Sequence, residues 1–155
     1  MRLQVLTSVM VLMGATSLPP DYPVDGDYLP GPVPAEVVRV IDGDSLEVRA
    51  TIWLGQSVQT VVRIADLDTP ELRGACEREK ELARAARDRL AAEAPPGSAV
   101  RLTDLKYDKY GGRILATTAT WEGRNLANLM IEAGLGRAYH GGHRERAAWC
   151  LAVGS

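Results

Sequence analysis

Five short runs of strand-forming residues, interrupted once by a helical run, restrict this chain to a small number of folds. The runs cover residues 37–41, 45–53, 56–64, 99–105 and 114–120. β-branched residues fill the first run, and apolar residues occupy alternate positions of the second, as in a strand with one buried face. Leu54 and Gly55 form a turn signal between the second and third runs, so these two are predicted to form a hairpin.

Two other segments have the apolar spacing of amphipathic helices. In residues 76–94 acidic residues come early and arginines late, and two prolines and Gly97 end the segment. We interpret its charged residues as a solvated face without a function. In residues 125–133 Leu126, Leu129 and Met130 share one face, and Gly134 follows where helices usually end.

The predicted order of elements is β-β-β-α-β-β-α. This is the order of a five-stranded OB-fold barrel with an inserted helix after strand 3 and a C-terminal helix. The chain is therefore expected to be α+β, mainly β, with one domain at residues 35–151. OB-folds bind nucleic acids or oligosaccharides, so the fold alone leaves the function open.

The first 34 residues have a different character. Residues 1–17 contain an early arginine, an apolar stretch and then small residues, which indicates a signal peptide; a buried helix or a retained membrane anchor is the alternative. Residues 18–34 contain six prolines and are expected to be an extended linker. Residues 152–155 are interpreted as a tail. We accordingly expect an exported protein, periplasmic or secreted, with no stable membrane span after processing.

The two cysteines, Cys76 and Cys150, lack the spacing of a zinc site or a redox pair. In an exported protein they would form a disulfide that closes about 74 residues. In reducing cytosol they would instead be two separate buried thiols. The disulfide prediction and the signal-peptide prediction therefore support each other.

Charge gives only weak support for binding to a polyanion. The formal net charge is -2, and without the residues before Ala35 the chain has 17 acidic and 17 basic residues. Binding to nucleic acid would depend on local clusters of arginine, with a modest affinity that falls as salt is added.

Four short segments carry groups that suit phosphodiester hydrolysis. Carboxylate oxygens bind hard cations, a further carboxylate can activate water, and guanidinium groups match phosphate oxygens. The segments are Asp42-Gly43-Asp44, Arg63, Asp68-Thr69-Pro70-Glu71 and Asp108-Lys109-Tyr110-Gly111-Gly112-Arg113.

In their order along the chain, VIDGDSLEV, VVRIADLDTPE and YDKYGGR resemble the motifs of the staphylococcal nuclease (thermonuclease-like) family over residues 37–150. The resemblance implies a calcium-dependent endonuclease that hydrolyses DNA and RNA with low sequence specificity and leaves 3′-phosphorylated products. The substrate would be single-stranded or denatured nucleic acid, and we expect a monomer.

The resemblance also implies a metal site. Asp44 and Asp68 would supply carboxylates to calcium, and Thr69 would supply its backbone carbonyl. Taken alone, each aspartate could equally be a turn residue, and only the pair favours a metal. Two carboxylates, a carbonyl and water suit the flexible coordination of calcium.

Three further residues correspond to the family's catalytic groups. Glu71 corresponds to the general base that activates the attacking water. Arg63 and Arg113 correspond to the arginines that clamp the phosphate and stabilise the transition state. From the residues alone, the alternatives are a surface glutamate and two solvated arginines at strand edges.

Other residues near these motifs have weaker assignments. By the resemblance, Lys109 and Tyr110 would bind substrate. Tyr139 is a candidate for stacking on a base. His140 and His143 are expected to face solvent, because a zinc site would need further ligands.

Two residues depart from the family pattern. Asp66 adds an acid where an apolar residue is expected. It could add to metal binding or pair with a nearby arginine, and we favour the pairing. Gly112 lengthens the loop before Arg113 by one residue, and we expect the loop to accommodate it.

The alternation of side chains along a strand predicts a bend after Arg63. Strict alternation from Arg63 would place Asp68 on the core side, where a lone carboxylate is unfavourable. The strand is therefore predicted to bend or end near residues 65–67.

Two other functions remain open from the sequence. A barrel of the same fold could bind nucleic acid without cleaving it, although degenerate copies lose the carboxylates and arginines that are present here. A structural calcium-binding envelope protein would need the acids but neither Arg63 nor Arg113.

Overall fold

The structure is a computed structural model that describes residues 26–109, 111–142 and 146–151. Its elements follow in chain order: β1 (Tyr28–Leu29), β2 (Val33–Asp42), β3 (Ser45–Trp53), β4 (Gln56–Ile64), β5 (Leu67–Asp68), α1 (Glu77–Glu93), β6 (Ala99–Tyr107), β7 (Arg113–Thr120), α2 (Leu126–Glu132), β8 (Arg137–Ala138) and a 3-10 turn at Arg146–Trp149.

Five long strands close into a barrel. β2, β3 and β4 pair antiparallel in sequence, β4 pairs with β7 in parallel, and β6 pairs antiparallel with both β7 and β2. The predicted OB-type barrel, with a helix inserted before its last two strands, is confirmed. The hairpin of β3 and β4 also has the predicted bounds.

Irregularities in two strands allow the sheet to curve back on itself. The register of β2 shifts between Val37 and Arg39, and that of β6 shifts beside Asp104, whose φ is 53°. A bulge of this kind bends a strand and increases its twist, which a small closed barrel requires. β6 can therefore pair with β2 near its start and with β7 along its length.

The barrel interior and the underside of the helices form one apolar core. Leu46, Val62 and Leu102 from three strands are fully buried, as are Leu90 of α1 and Met130 of α2. Leu46, Val48 and Ala50 follow the predicted alternation, but Ile52 is exposed because the hairpin continues past the barrel. Both helices have the predicted extent, with Cys76 and Asn125 as their N-caps.

Paired strands begin earlier in the chain than the proline content predicted. β1 pairs with Leu105 and Lys106 of β6, and β2 begins at Val33. Pro34 pairs with Arg101 of β6, whereas pairing with β3 starts only at Ala35. A proline is tolerated there because the missing N–H is on a strand that has a single neighbour at that point. The expected linker over residues 18–34 is therefore wrong for its last part.

Several predictions lie outside the described residues. These are the signal peptide at residues 1–17, residues 18–25 of the expected linker, Tyr110, His143 and the tail at residues 152–155. Within the part of the chain that the structure describes, no helix is both long and apolar enough to cross a membrane.

Cys76 and Cys150 form a disulfide, with a Cα–Cα distance of 6.0 Å. The bridge joins the N-cap of α1 to the end of the 3-10 turn at Arg146–Trp149. The guanidinium group of Arg137 adds a second contact to this turn, because it lies 3.8 Å from the ring centroid of Trp149 and donates to the carbonyl of Ala148. The C-terminal segment is thus held against α1 and β8.

We predict that the Cys76→Ser/Cys150→Ser variant is less stable than the oxidised protein by about 4 kcal/mol, the chain-entropy value for a loop of this length. Urea unfolding of the variant and of oxidised and reduced wild type would measure this. The variant and the reduced wild type should agree, and a loss below about 1 kcal/mol would contradict the estimate.

Candidate active site

The turn between β2 and β3 presents Asp44 at one end of the barrel. Asp42 pairs with Ser45 across this turn, and the N–H of Asp44 donates to the Asp42 carboxylate at 3.2 Å. Gly43 lies so close to its neighbours that an added Cβ would be 2.7 Å from the Ala86 Cβ and 2.9 Å from the Thr69 Oγ1. Only glycine allows the turn to pack this closely against Thr69 and α1.

Asp44 and Arg63 form a buried ion pair. The two guanidinium nitrogens approach the two carboxylate oxygens at 2.7 and 3.1 Å, and the side chains are only 6% and 10% exposed. The hydroxyl of Ser45 donates a third bond to Asp44 at 2.9 Å. Ser45 is paired with Arg63 across β3 and β4, so strand register brings all three residues together.

Burial raises the pKa of the Asp44 carboxyl to about 7. Loss of hydration is the largest cause, the positive charge of Arg63 acts in the opposite direction, and the nearby negative charge of Asp42 raises the pKa further. The contacts with Arg63 therefore do not fully offset the loss of hydration of the Asp44 carboxylate. Additional positive charge would be stabilising at this position.

The chain bends sharply after β4, as predicted from strand alternation. β4 ends at Ile64, Asp66 has a φ of 60°, and Leu67 is buried. The carbonyl of Leu67 accepts a weak bond from Arg63 at 3.4 Å, so the bend folds back over the ion pair. Asp68 then lies half-buried in β5, paired with Arg137 of β8, and leads into the buried Thr69.

Glu71 is exposed in the loop between β5 and α1. The N–H of Gly74 donates to the Glu71 carbonyl at 2.8 Å, which closes a tight turn. The N–H of Glu71 itself donates to the side chain of Glu79 in α1 at 3.3 Å. The loop is thus attached to the start of the helix.

Arg113 begins β7 and forms an ion pair with the buried Asp108 at 2.7 Å. Arg113 pairs with Val61 of the neighbouring strand β4. Val61 lies two residues before Arg63, so Arg63 and Arg113 lie on the same face of the two strands. Gly111 and Gly112 have φ values of 60° and 67°. Two consecutive left-handed residues allow the loop to absorb the extra residue before Arg113.

The remaining predicted residues are more scattered. Lys109 is exposed in the same loop as Arg113. The side chain of Asp66 pairs with His140 at 3.2 Å, and not with an arginine as expected. The reason is that the backbone carbonyl of Asp66 accepts from the N–H of Tyr139, which places residues 139 and 140 beside Asp66. His140 is 78% exposed, consistent with the expectation that it faces solvent. The Tyr139 hydroxyl donates to the carbonyl of Gly142.

The oxygen donors fit calcium in chemical type. Two carboxylates and the Thr69 carbonyl are hard ligands, and a cation would favour the charged form of the buried Asp44 carboxyl. The acids nevertheless do not form a tight three-ligand cluster in the described residues. The one cluster of that size there, Cys76, Glu79 and Cys150, is unsuitable because both sulfurs are in a disulfide.

Sequence reasoning missed Glu79. Its side chain is buried, whereas the early acids of α1 were interpreted as a solvated face. The available signal was its position three residues after the N-cap, where a glutamate often returns to cap backbone N–H groups. Cysteine in place of serine or threonine at the N-cap made that pattern difficult to see.

Comparison with known proteins assigns this OB-type barrel to a nuclease family. The chain belongs to the family described as staphylococcal nuclease homologue, which matches residues 61–149. The match includes Arg63, Glu71 and Arg113, and Asp44 lies before it.

A protein of Escherichia coli named uncharacterized endonuclease is also similar to this chain. The two are 29% identical over 103 residues, which is 66% of this chain and 59% of that protein. The chain therefore spans less than two thirds of the length of this relative.

We predict that Arg63→Gln lowers the free energy of unfolding by about 3 kcal/mol, because it leaves the Asp44 carboxyl buried without its partner. The double variant Asp44→Asn/Arg63→Gln should recover a large part of this loss in urea unfolding. Arg49→Gln is the control, since its partner Glu36 is exposed and this pair should contribute little. Equal losses in the two arginine variants would contradict the role of the buried pair.

Proposed function

We propose that this protein is a calcium-dependent endonuclease that hydrolyses phosphodiester bonds of DNA and RNA with low sequence specificity and leaves 3′-phosphorylated products. The observation that carries this proposal is the buried Asp44–Arg63 pair, with the segment that contains Asp68, Thr69 and Glu71 folded back beside it. Membership of a nuclease family supports the same reaction class.

The Asp44 and Asp68 carboxylates and the Thr69 carbonyl are the residues that would hold calcium. When bound, the cation would acidify water and neutralise phosphate charge. A cation on Asp44 would compete with Arg63 for the negative charge of the same carboxylate and would weaken the ion pair. N–H groups of Arg63 would then be more available to a phosphate, which is a proposed reason for calcium dependence.

Glu71 is proposed to accept the proton of the attacking water. Its exposed side chain can reach a bound substrate without a desolvation cost, in contrast to Asp44. Arg63 and Arg113, on one face of adjacent strands, would contact the phosphate oxygens and stabilise the charge that develops on them. Lys109 and Tyr110 would hold the flanking nucleotide.

The substrate form, the oligomeric state and the cellular location of the protein are part of the proposed function. Contacts to the phosphate backbone leave base identity unread, so low sequence specificity follows. We propose single-stranded or denatured nucleic acid as the substrate and a monomer as the active form. The Cys76–Cys150 disulfide favours an exported location, because such bridges persist in oxidising compartments.

One observation favours a second candidate, a barrel that binds nucleic acid without cleaving it. Asp44 and Arg63 neutralise each other, as do Asp108 and Arg113, which leaves fewer charges for catalysis. The two hypotheses differ in the requirement for Glu71 and for calcium.

We expect calcium to support digestion of single-stranded DNA by the oxidised protein, and chelation to abolish it. Glu71→Gln should lower the rate about 10³-fold, the range for loss of a general base. Glu122→Gln, at an exposed glutamate in the turn after β7, is the matched control and should retain the wild-type rate. Cleavage without calcium, or full activity of Glu71→Gln, would refute the mechanism.

We further expect calcium affinity to decrease below pH 7. A proton on Asp44 competes with the cation, so affinity should fall about tenfold for each pH unit below its raised pKa and level off above it. Calcium titration calorimetry between pH 5 and pH 8 would measure this, and the midpoint should fall within about one pH unit of 7. An affinity that is constant across this range would show that Asp44 is not a ligand.

A further inference from the structure

Glu79 is a buried acid that faces the backbone of the loop bearing Glu71. Only 2% of the surface of Glu79 is exposed. One carboxylate oxygen accepts from the Ala75 N–H at 2.8 Å, and the other accepts from the Glu71 N–H at 3.3 Å. A buried carboxylate is costly unless it is hydrogen-bonded, so these two bonds account for its position.

The local sequence builds this arrangement as an extended capping box. Cys76 is the N-cap of α1, and its sulfur accepts from the Glu79 N–H at 3.4 Å. In an ordinary capping box the glutamate returns to the N-cap N–H. Here the side chain of Glu79 reaches beyond the N-cap to Ala75 and Glu71, which an ordinary cap does not require.

Two neighbours keep the Glu79 side chain in this position. The sulfur of Cys150 lies 4.0 Å from one carboxylate oxygen and, being in a disulfide, has no proton to donate, so it is a packing contact. An added Cβ at Gly74 would lie 2.4 Å from the Glu79 Cδ. A side chain at position 74 would therefore displace the Glu79 carboxylate or open the loop.

We propose that Glu79 is a positioning residue for the reaction: by fixing the backbone at Glu71 and Ala75, it orients the Glu71 carboxylate toward the substrate phosphate. This inference rests on the proposed role of Glu71 as the base. It deepens that role, because an exposed glutamate in a loop acts efficiently only if its backbone is held.

The chemistry requires a carboxylate and not merely a polar side chain. Each of its two oxygens accepts one N–H, whereas a glutamine offers one oxygen and turns an NH₂ donor toward the second N–H. Glu79→Gln keeps the shape of the side chain but forfeits one of the two bonds. It therefore separates the loss of loop anchoring from the loss of packing.

The kinetic test compares Glu79→Gln with Glu81→Gln, an exposed glutamate of the same helix. With calcium and single-stranded DNA, we expect Glu79→Gln to lower kcat about tenfold with KM nearly unchanged, since a displaced base affects the chemical step. Glu81→Gln should retain the wild-type values. A kcat for Glu79→Gln within twofold of the control would overturn the inference.

Amide hydrogen exchange provides a second readout that does not depend on activity. In Glu79→Gln the N–H groups of Glu71 and Ala75 should exchange faster than in Glu81→Gln, by about tenfold for at least one of them. Gly74→Ala, which would displace the Glu79 carboxylate, should have the same effect if Glu79→Gln does not fold. Unchanged exchange at both residues would overturn the anchoring.

The same experiment separates this inference from the proposed function. If wild type does not cleave, or if Glu71→Gln cleaves at the full rate, the proposed function fails and so does the catalytic role of Glu79. Faster exchange at Glu71 in that case would still establish the anchoring of the loop. Normal Glu71-dependent cleavage with an unaffected Glu79→Gln variant would refute the positioning role alone.

Discussion

The buried ion pair between Asp44 and Arg63 is the interaction on which the end of the barrel depends. It links the β2–β3 turn to β4, and Arg63 also contacts the chain where it bends after β4. The two charges are removed from water together, so neither segment can move away without leaving a buried charge unpaired. The position of Asp68, Thr69 and Glu71 follows from this bend.

A second constraint acts from the side of α1. The disulfide attaches the C-terminal segment to the N-cap of the helix, and Glu79 in the first turn attaches the loop that carries Glu71. The barrel end and the helix start therefore hold the same short segment from two directions. This arrangement would hold the proposed base, Glu71, in a reproducible position.

Much of the fold could be predicted from local patterns, because strand alternation and helix spacing are properties of neighbouring residues. The β3–β4 hairpin and both helices have the predicted extents, and the bend after β4 followed from the need to keep Asp68 out of the core. Proline content misplaced the start of β2, because it could not reveal that this part of the strand has one neighbour only. Asp66 was expected beside an arginine, but its partner His140 comes from 74 residues away.

The sequence by itself determined the order of the five barrel strands and the two helices, the family and the identity of the charged residues, since all of these are encoded locally in motifs. Only the tertiary structure decided which polar groups pair with one another. Arg63 pairs with Asp44 and Arg113 with Asp108, and Glu79 accepts hydrogen bonds from the N–H groups of Glu71 and Ala75. The physical reason is that ion pairing and desolvation depend on distance and burial. Both are set by the closure of the barrel and the packing of α1, and neither can be read from spacing along the chain.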